Sequence, residues 1–370
     1  MKPRVALVAD PGLPPHGAGS ARIDGFERAF RAAGWAVDRP AATAPAEGRP
    51  GTVRQAVGNA TAGTLARVGL AGEIAPRVAM GMARWLRSSR PDVAVVSAPP
   101  FSLLALAASA RPPVILDIRD VLALHPRAHL VARMLSPLER GLTRRAAGVA
   151  FAGDPSLAEE IAAFSEIPPA RIVPVPNGVL AEELPEATAP RSADRPVRLV
   201  FCGSLYGGAT VGALPEMLAA VGPSVARLTV IGPTPAHARR RFFGGMTDEV
   251  DFLPSLPRRD LYRRLAEADL GVLALSDWYP FEFSIPAKAY DYAAMGLPIL
   301  YFGPAEAAVK EIGAVHRFDL HDADGAAAFL RSWRRRRGRV GAHPLNGSEF
   351  SREAAGQPLL RLAEEVRECK

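Results

Sequence analysis

Short apolar runs rich in Val, Ile and Leu recur along this chain, and stretches with helical spacing separate them. A continuous apolar run of this length predicts a strand that is buried on both faces. Because such strands alternate with helices, the sequence predicts parallel sheets joined by right-handed crossovers. In the first half of the chain the predicted strands are 4–9, 35–38, 93–97, 113–117 and 148–152, with another strand and a turn in 171–179.

The same alternation restarts after a segment of different composition. Residues 181–196 are rich in Pro, Ala and charged residues and lack periodicity, which is typical of a linker. A chain of 370 residues is long enough for two domains. We therefore predict an α/β protein with two Rossmann-like doubly wound domains, 1–180 and 197–349. The predicted strands of the second domain are 197–203, 226–232, 250–255, 269–275 and 298–303.

The loop between the first strand and the first helix has the sequence DPGLPPHGAGS at 10–20. Its glycines could place backbone N–H groups against an anion at the helix start, for which Ser20 is the predicted cap. Alternatively, the glycines only allow a long loop to turn. A nicotinamide-dinucleotide site is disfavoured, because seven residues separate the strand from Gly17 and Arg22 occupies the place of the third glycine.

Charged residues follow the fourth predicted strand as the tetrapeptide Asp117-Ile118-Arg119-Asp120, with His125 a few positions later. If the strand is placed correctly, these groups face the cleft between the two domains, where proteins of this architecture bind ligands. The alternative is a helix cap with a surface ion pair.

The segment 282–301, EFSIPAKAYDYAAMGLPILY, carries the most informative pattern. Pro286 suits the first turn of a helix, and Ser284 lies near the cap position. Free N–H groups at this helix start could bind a diphosphate, to which Lys288 adds a positive charge. Asp291 lies three residues further on the same helix face, and its two oxygens could grip the hydroxyls of a ribose. The segment therefore predicts a nucleotide-diphosphate site.

Residues 284–300 resemble the donor-site signature of GT-B glycosyltransferases, in the branch of glycosyltransferase family 4 that reads roughly S-x-P-x-K-x-x-E-Y-x-A-x-G-x-P-x-I. The resemblance extends along the chain. It includes the glycine loop before Arg22, the sequence DIRD at 117–120, VPNGV at 175–179, FCGSL at 201–205 and the C-terminal stretch 350–366.

The resemblance implies a GT-B fold, in which two Rossmann-like domains face each other across a cleft and a last helix, 350–370, returns to the first domain. It implies a retaining, metal-independent hexosyl transfer from a nucleotide sugar, with UDP as the expected nucleotide, and no cofactor. The acceptor would be a hydroxyl of a glycan, a lipid-linked saccharide or a secondary metabolite. A nucleotide-sugar epimerase of the same fold and a non-catalytic partner subunit remain alternatives.

Site residues follow from the same resemblance, position by position. The expected catalytic residues are Gly19, Arg22, Asp120 and Lys288. The expected donor-binding residues are Gly203, Ser204, Glu282, Phe283, Ser284, Ile285, Pro286, Lys288 and Asp291. On the acceptor side we expect His16, Gly17, Arg119 and His125, and we expect no metal ligands.

The chain departs from the family pattern at the start of the second domain. Family members often have an Arg directly after the opening glycine and a Lys a few residues later, whereas here Ser204 follows Gly203 and 204–210 has no cation. Lys288, Arg22 or Arg119 would then have to stabilise the leaving diphosphate. The paired-glutamate motif is also incomplete, and Gly153-Asp154 replaces the usual Ser or Thr after the last strand of the first domain.

The charge balance favours an anionic ligand or surface, because 45 basic residues outnumber 38 acidic ones. The tract 331–339, with six arginines in nine residues, predicts either a solvated helix end or peripheral contact with anionic membrane lipid. No nucleic-acid partner is expected, since no module or interleaved aromatic residues are present. The chain shows no secretory signal, and Pro99-Pro100 splits its longest uncharged run, so we expect a bacterial, cytoplasmic protein.

Overall fold

The computed structural model describes residues 2–10, 13, 17–40, 76–119, 130–186, 195–203, 211–246, 248–275, 285–336 and 350–369. The chain divides into two compact units. The first consists of Met1–Pro176 with Arg352–Lys370, and the second of Asn177–Ser351. Each unit has a six-stranded parallel sheet with helices between the strands, so the predicted α/β class with two doubly wound sheets is confirmed.

In the first unit the sheet order is β2-β1-β3-β4-β5-β6. Its central strands are buried along their whole length, which explains the uninterrupted apolar runs. The strands are β1 (Arg4–Val8), β2 (Ala36–Asp38), β3 (Val93–Ala98), β4 (Val114–Ile118), β5 (Gly148–Phe151) and β6 (Ile172–Pro174). The helices are α1 (Ala18–Ala32), α2 (Pro76–Ser89), α3 (Ala105–Ser109), α4 (Leu130–Thr143) and α5 (Leu157–Ser165).

In the second unit the order is β12-β11-β10-β7-β8-β9. The strands are β7 (Val197–Cys202), β8 (Ala226–Ile231), β9 (Val250–Leu253), β10 (Leu270–Ala274), β11 (Ile299–Phe302) and β12 (Val315–Phe318). The helices are α6 (Leu214–Val221), α7 (Ala236–Phe243), α8 (Arg258–Ala266), α9 (Ala287–Ala294) and α10 (Ala323–Arg336). All pairings between these strands are parallel.

The last helix, α11 (Arg352–Glu368), belongs to the first unit. Its buried Leu359 and Leu362 share a hydrophobic cluster with Phe26 and Phe30 of α1. At its start, Arg352 donates a hydrogen bond from Nη1 to the carbonyl oxygen of Ala21. The apolar face of α11 therefore completes the core on the α1 side of the first sheet.

Both sheets have a point where the strand order reverses. In the second unit the chain runs from β7 outward through β8 and β9, and then crosses to β10 on the other side of β7. In the first unit the same reversal lies between β1 and β3. Loops that leave such a pair of strands diverge, and open α/β sheets bind ligands at the carboxyl ends of these strands.

The beginning of α1 differs from the prediction. The helix starts at Ala18 with Gly17 at the N-cap, so Ser20 lies inside the first turn and the predicted cap is wrong. Propensity favoured serine, but the chain already turns at Gly17, without a capping side chain. The predicted end of the helix is confirmed, because Gly34 adopts a φ of +84° just after it.

Candidate functional site

The sheet of the second unit opens between β7 and β10. The two strands pair only at 199–200 with 270–271. Beyond these positions, the Tyr292 hydroxyl of α9 bonds to both strands. Its partners are the amide nitrogen of Cys202 at 2.9 Å and the carbonyl oxygens of Val200 and Val272, both at 3.2 Å. Tyr292 therefore replaces the missing strand pairing and fixes α9 at the carboxyl edge of the sheet.

Gly271 allows the Tyr292 ring to occupy this place. A Cβ atom at Gly271 would lie 2.5 Å from ring atoms of Tyr292, which is closer than side chains tolerate. The position therefore requires glycine because of a close approach, since its φ is not in the left-handed region.

Lys288 lies in the first turn of α9 and is half-buried. Its Nζ is 3.8 Å from the ring centroid of Phe201, at the end of β7, and close to Gly203, where φ is +112°. Within the described ranges no carboxylate pairs with this ammonium group. Burial lowers the pKa of Lys288 to about 8, because desolvation disfavours the charged form. An anion at this point would restore the charge balance.

The amino end of α9 adds hydrogen-bond donors beside Lys288. Pro286 is the N-cap and supplies no capping side chain, and no acidic residue lies in the first turn. The first backbone bond joins the amide of Ala289 to the carbonyl oxygen of Pro286, so the amides of Ala287 and Lys288 precede it. Together with the helix dipole, these groups favour negative charge.

Asp291 lies one turn further along α9 and is 7 % exposed. Its Oδ1 accepts hydrogen bonds from Nη2 of Arg258 at 2.7 Å and from the Tyr262 hydroxyl at 2.8 Å. Burial, with the adjacent Asp291, raises the pKa of Tyr262 well above its ordinary value, so this hydroxyl keeps its proton and donates it. The expectation that Asp291 offers both oxygens to a ribose is therefore wrong, since only Oδ2 is left.

Arg258 begins α8 and extends this network to Glu183, whose Oε2 accepts from its Nε at 3.0 Å. Sequence reasoning missed Arg258, Tyr262 and Glu183. The i, i+4 spacing of Arg258 and Tyr262 on a predicted helix was visible, but it does not say which neighbour the pair contacts. Only the sheet order places α8 beside α9.

Lys288, Asp291 and Arg258 form one group of charges around Cys202 at the end of β7, which we call the β7-edge cluster. Burial and the Asp291 carboxylate raise the pKa of the Cys202 thiol to about 12. The positive charges of Lys288 and Arg258 favour a lower pKa for the same thiol. Because Arg258 contacts Asp291 at 2.7 Å and Lys288 precedes Asp291 by three residues on α9, the three charges lie close together near the switch point of the second sheet.

In the first unit, Arg22 forms an internal ion pair and does not carry an available charge. Its side chain is 2 % exposed and contacts Asp117, which is fully buried, at 2.7 Å. Arg22 Nη1 donates to the carbonyl oxygen of Val175, and the Ser97 hydroxyl donates to Asp117. The expected role of Arg22 at a leaving diphosphate is thus corrected, because its guanidinium is already committed to holding α1 against β4 and β6.

Arg119 lies at the carboxyl edge of the first sheet and is half-buried. Its Nη2 donates to the carbonyl oxygen of Pro99, and its Nη1 is 2.8 Å from where a Cβ on Gly19 would be. Gly19 therefore makes room for this guanidinium in the first turn of α1. No carboxylate is paired with Arg119 in the part of the chain that the structure describes. Arg119 and Gly17, the N-cap of α1, thus lie at the β1/β3 switch point.

The structure brings Gly203, Lys288 and Asp291 together in the second unit, with Ile285 and Pro286 just before α9. Gly17, Gly19, Arg22 and Arg119 lie in the first unit. Their roles toward a ligand remain predictions. The other expected site residues fall outside the described residues: His16, Asp120, His125, Ser204, Glu282, Phe283 and Ser284.

The arginine tract begins on α10, where Arg331, Arg335 and Arg336 are exposed and 337–339 fall outside the described part. Arg331 Nη2 donates to the carbonyl oxygen of Ala220. Among the helices that the structure describes, none combines the length and the apolar character needed to cross a bilayer. The described residues also contain no group of three His, Cys, Asp or Glu arranged to hold a metal ion.

Residues 17–178 match the sequence model of the glycosyl transferase 4-like domain. Sucrose-phosphate synthase from Thermosynechococcus elongatus has the same fold, with a TM-score of 0.63, 15 % identity and full coverage of both chains. Anabaena Alr3699/HepE, solved with UDP and glucose, matches with a TM-score of 0.63 and 13 % identity, and the match covers 99 % of this chain and 98 % of that one. A putative UDP-N-acetylglucosamine 2-epimerase from Listeria monocytogenes matches with a TM-score of 0.58 and 13 % identity, and the match covers 100 % of this chain and 98 % of that one.

These matches confirm the resemblance to family 4-like glycosyltransferases and the GT-B fold. At such low identities the solved structures show the fold alone. No curated protein matches the sequence.

Proposed function

We propose that this chain is a glycosyltransferase that moves a sugar from a nucleoside-diphosphate sugar, in the first place a UDP-sugar, to a hydroxyl acceptor. The observation that carries the proposal is the half-buried Lys288, which has no ion-pair partner among the described residues and lies beside the amides that begin α9. A pyrophosphate suits this place, because it supplies the missing negative charge and accepts several hydrogen bonds.

The choice of a nucleotide rests on Asp291, one turn beyond Lys288 on the same helix. A carboxylate oxygen next to a diphosphate site is well placed for a pentose hydroxyl, and Asp291 keeps Oδ2 for this purpose. Uridine is favoured because Anabaena Alr3699/HepE, a protein of the same fold, was solved in complex with UDP and glucose.

The chemistry that we propose is transfer with retention at the anomeric carbon. The bond between that carbon and the diphosphate oxygen breaks, and the acceptor hydroxyl attacks from the face that the diphosphate leaves. The hydroxyl proton goes to the departing phosphate oxygen, so no metal or further cofactor takes part. Lys288 and the α9 amides stabilise the charge that develops on the leaving group, which is commonly the largest contribution to catalysis.

Lys288 thereby takes over the task that family members give to an Arg and a Lys in the stretch corresponding to 204–210. On the acceptor side we propose Gly17, Gly19 and Arg119, which lie at the switch point of the first sheet. The exposed arginines of α10 support a peripheral contact with anionic lipid.

A second candidate is a nucleotide-sugar epimerase, because the putative 2-epimerase from Listeria monocytogenes shares the fold and the same donor site would serve both reactions. A non-catalytic partner subunit is the third, since 204–210 contains no cation. A panel of nucleotide sugars distinguishes the three. Transfer gives a free nucleoside diphosphate and a glycosylated acceptor, epimerisation gives an isomerised sugar, and a partner subunit binds without turnover.

The donor site is tested by thermal unfolding with UDP and GDP. We expect a ligand at about 100 times its dissociation constant to add about 2.7 kcal/mol of stability to the wild-type chain. Lys288→Ala should abolish this gain, whereas Lys310→Ala, at an exposed lysine of the same unit, should keep it. If no nucleoside diphosphate stabilises the wild type, or if Lys288→Ala responds normally, the proposal is wrong.

A further inference from the structure

The network around Asp291 leaves one hydrogen-bond acceptor open. Oδ1 already receives two donors, from Arg258 and Tyr262, which fills its lone pairs. Oδ2 has no hydrogen-bond partner among the described residues, and the Asp291 side chain is 10 % exposed. A carboxylate oxygen without a partner in the protein is available to accept a hydrogen bond from a ligand hydroxyl.

The same network leaves one donor open on Arg258. Nε donates to Glu183, and Nη2 is shared between the Tyr262 hydroxyl at 2.5 Å and Asp291 at 2.7 Å. Nη1 has no partner in the described part of the chain, while the side chain as a whole is 11 % exposed. A guanidinium presents its donors in a fixed plane, so three contacts on the other two nitrogens also fix the position of Nη1.

The open acceptor and the open donor belong to two side chains, Asp291 and Arg258, that are joined by the 2.7 Å bond from Nη2 to Oδ1. A vicinal diol complements such a pair, since one hydroxyl donates to a carboxylate oxygen while the other accepts from a guanidinium. The charge also fits a neutral ligand group: Arg258 lies between two carboxylates, those of Asp291 and Glu183, and needs no further anion.

We propose that Arg258 is a second pentose-binding residue, whose Nη1 donates to one ribose hydroxyl while Oδ2 of Asp291 accepts from the other. The inference rests on the proposed function, because it takes the diphosphate at Lys288 as the anchor that brings the ribose to this point. The ribose is then bound by one donor and one acceptor, and not by both oxygens of a single carboxylate. Glu183 and Tyr262 act as positioning residues.

The test compares three ligands, UDP, 2′-deoxy-UDP and 3′-deoxy-UDP, by isothermal titration calorimetry. In the wild type, loss of either hydroxyl should weaken binding about ten- to a hundredfold, as expected for hydrogen bonds to charged groups. Arg258→Gln should be insensitive to one of the two hydroxyls, and Asp291→Asn should be insensitive to the other. Arg258→Lys, which keeps the charge but not the planar fork, should show the same selective loss if Arg258→Gln does not fold.

Arg195→Gln is the matched control. Arg195 pairs at 2.8 Å with the fully buried Asp269, at the amino ends of β7 and β10, so the variant breaks an ion pair at the opposite edge of the same sheet. It should lower the thermal stability and leave all three dissociation constants unchanged.

The possible results separate the inference from the function beneath it. If Arg258→Gln weakens the three ligands by one common factor, or none of them, Arg258 has only a structural role and the inference is overturned. If the wild type binds UDP but ignores both hydroxyls, the pentose lies elsewhere and the inference also fails. If the wild type binds none of the three, the proposed donor site itself is wrong and this inference falls with it.

Discussion

Removing the Tyr292 hydroxyl tests whether this group holds the two halves of the second sheet together. In Tyr292→Phe the buried amide of Cys202 loses its acceptor at 2.9 Å, and the carbonyl oxygens of Val200 and Val272 lose a shared donor at 3.2 Å. A buried N–H without a partner costs about 1–3 kcal/mol, and the loss of the hydrogen bond that the hydroxyl donates to the carbonyl oxygens costs about 1 kcal/mol more. We therefore expect the free energy of unfolding to fall by about 2–4 kcal/mol.

For a unit of this size, that change corresponds to a decrease in Tm of roughly 4–16 °C. The assay is thermal and urea unfolding followed by circular dichroism, with and without UDP. The stabilisation by UDP should also shrink, because Lys288 and Asp291 lie on the helix that the hydroxyl fixes.

Tyr301→Phe provides the control, since it removes the same atom from a tyrosine in the same unit. That hydroxyl donates one hydrogen bond, of 3.2 Å, to the carbonyl oxygen of Pro304. We expect a loss of about 1 kcal/mol or less. If the two variants lose equal stability and bind UDP equally well, the Tyr292 hydroxyl does not bridge β7 and β10 and this reasoning is refuted.

The remaining predictions concern the half-buried Lys288 and the buried pair of Arg22 and Asp117. The affinity for UDP should fall as the pH rises through about 8, because Lys288 loses its proton there, and Lys288→Arg should remove this dependence. Calorimetry at about pH 6.5 to 9.5 measures both effects. A wild-type affinity that does not change with pH would contradict the role of Lys288. Asp117→Asn leaves the Arg22 charge without its partner inside the first unit and should cost about 3–5 kcal/mol in urea unfolding, whereas a loss below 1 kcal/mol would mean that the pair is not buried in solution.

The sequence predicts the strands well because they are buried on both faces. For example, the expected strand at 93–97 is Val93–Ala98 in the structure, and 269–275 contains Leu270–Ala274. A continuous apolar run leaves few other interpretations when helices flank it. Helix beginnings were harder, as Ser20 shows, because a glycine that turns the chain can end the loop before the better capping residue is reached.

The candidate site was predicted only where its residues lie close together in the sequence. Lys288 and Asp291 share one helix turn, so their proximity follows from helical spacing alone. Arg258 reaches Asp291 only because α8 packs beside α9, across a sequence separation of 33 residues. The burial of Arg22 could not be predicted either, since a charged residue on an amphipathic helix is most often exposed.

The charged residues of the two units fall into two groups with different physical consequences. Arg22 and Arg195 each contact a fully buried carboxylate, so their burial is compensated within the protein and they stabilise the fold. Lys288 is partly desolvated with no such partner among the described residues, and its lowered pKa reports the resulting cost. A desolvated cation without a partner destabilises the free protein, and an anion that binds beside it removes this destabilisation. This energetic difference, and not positive charge as such, is therefore the reason for which we propose a diphosphate at the amino end of α9.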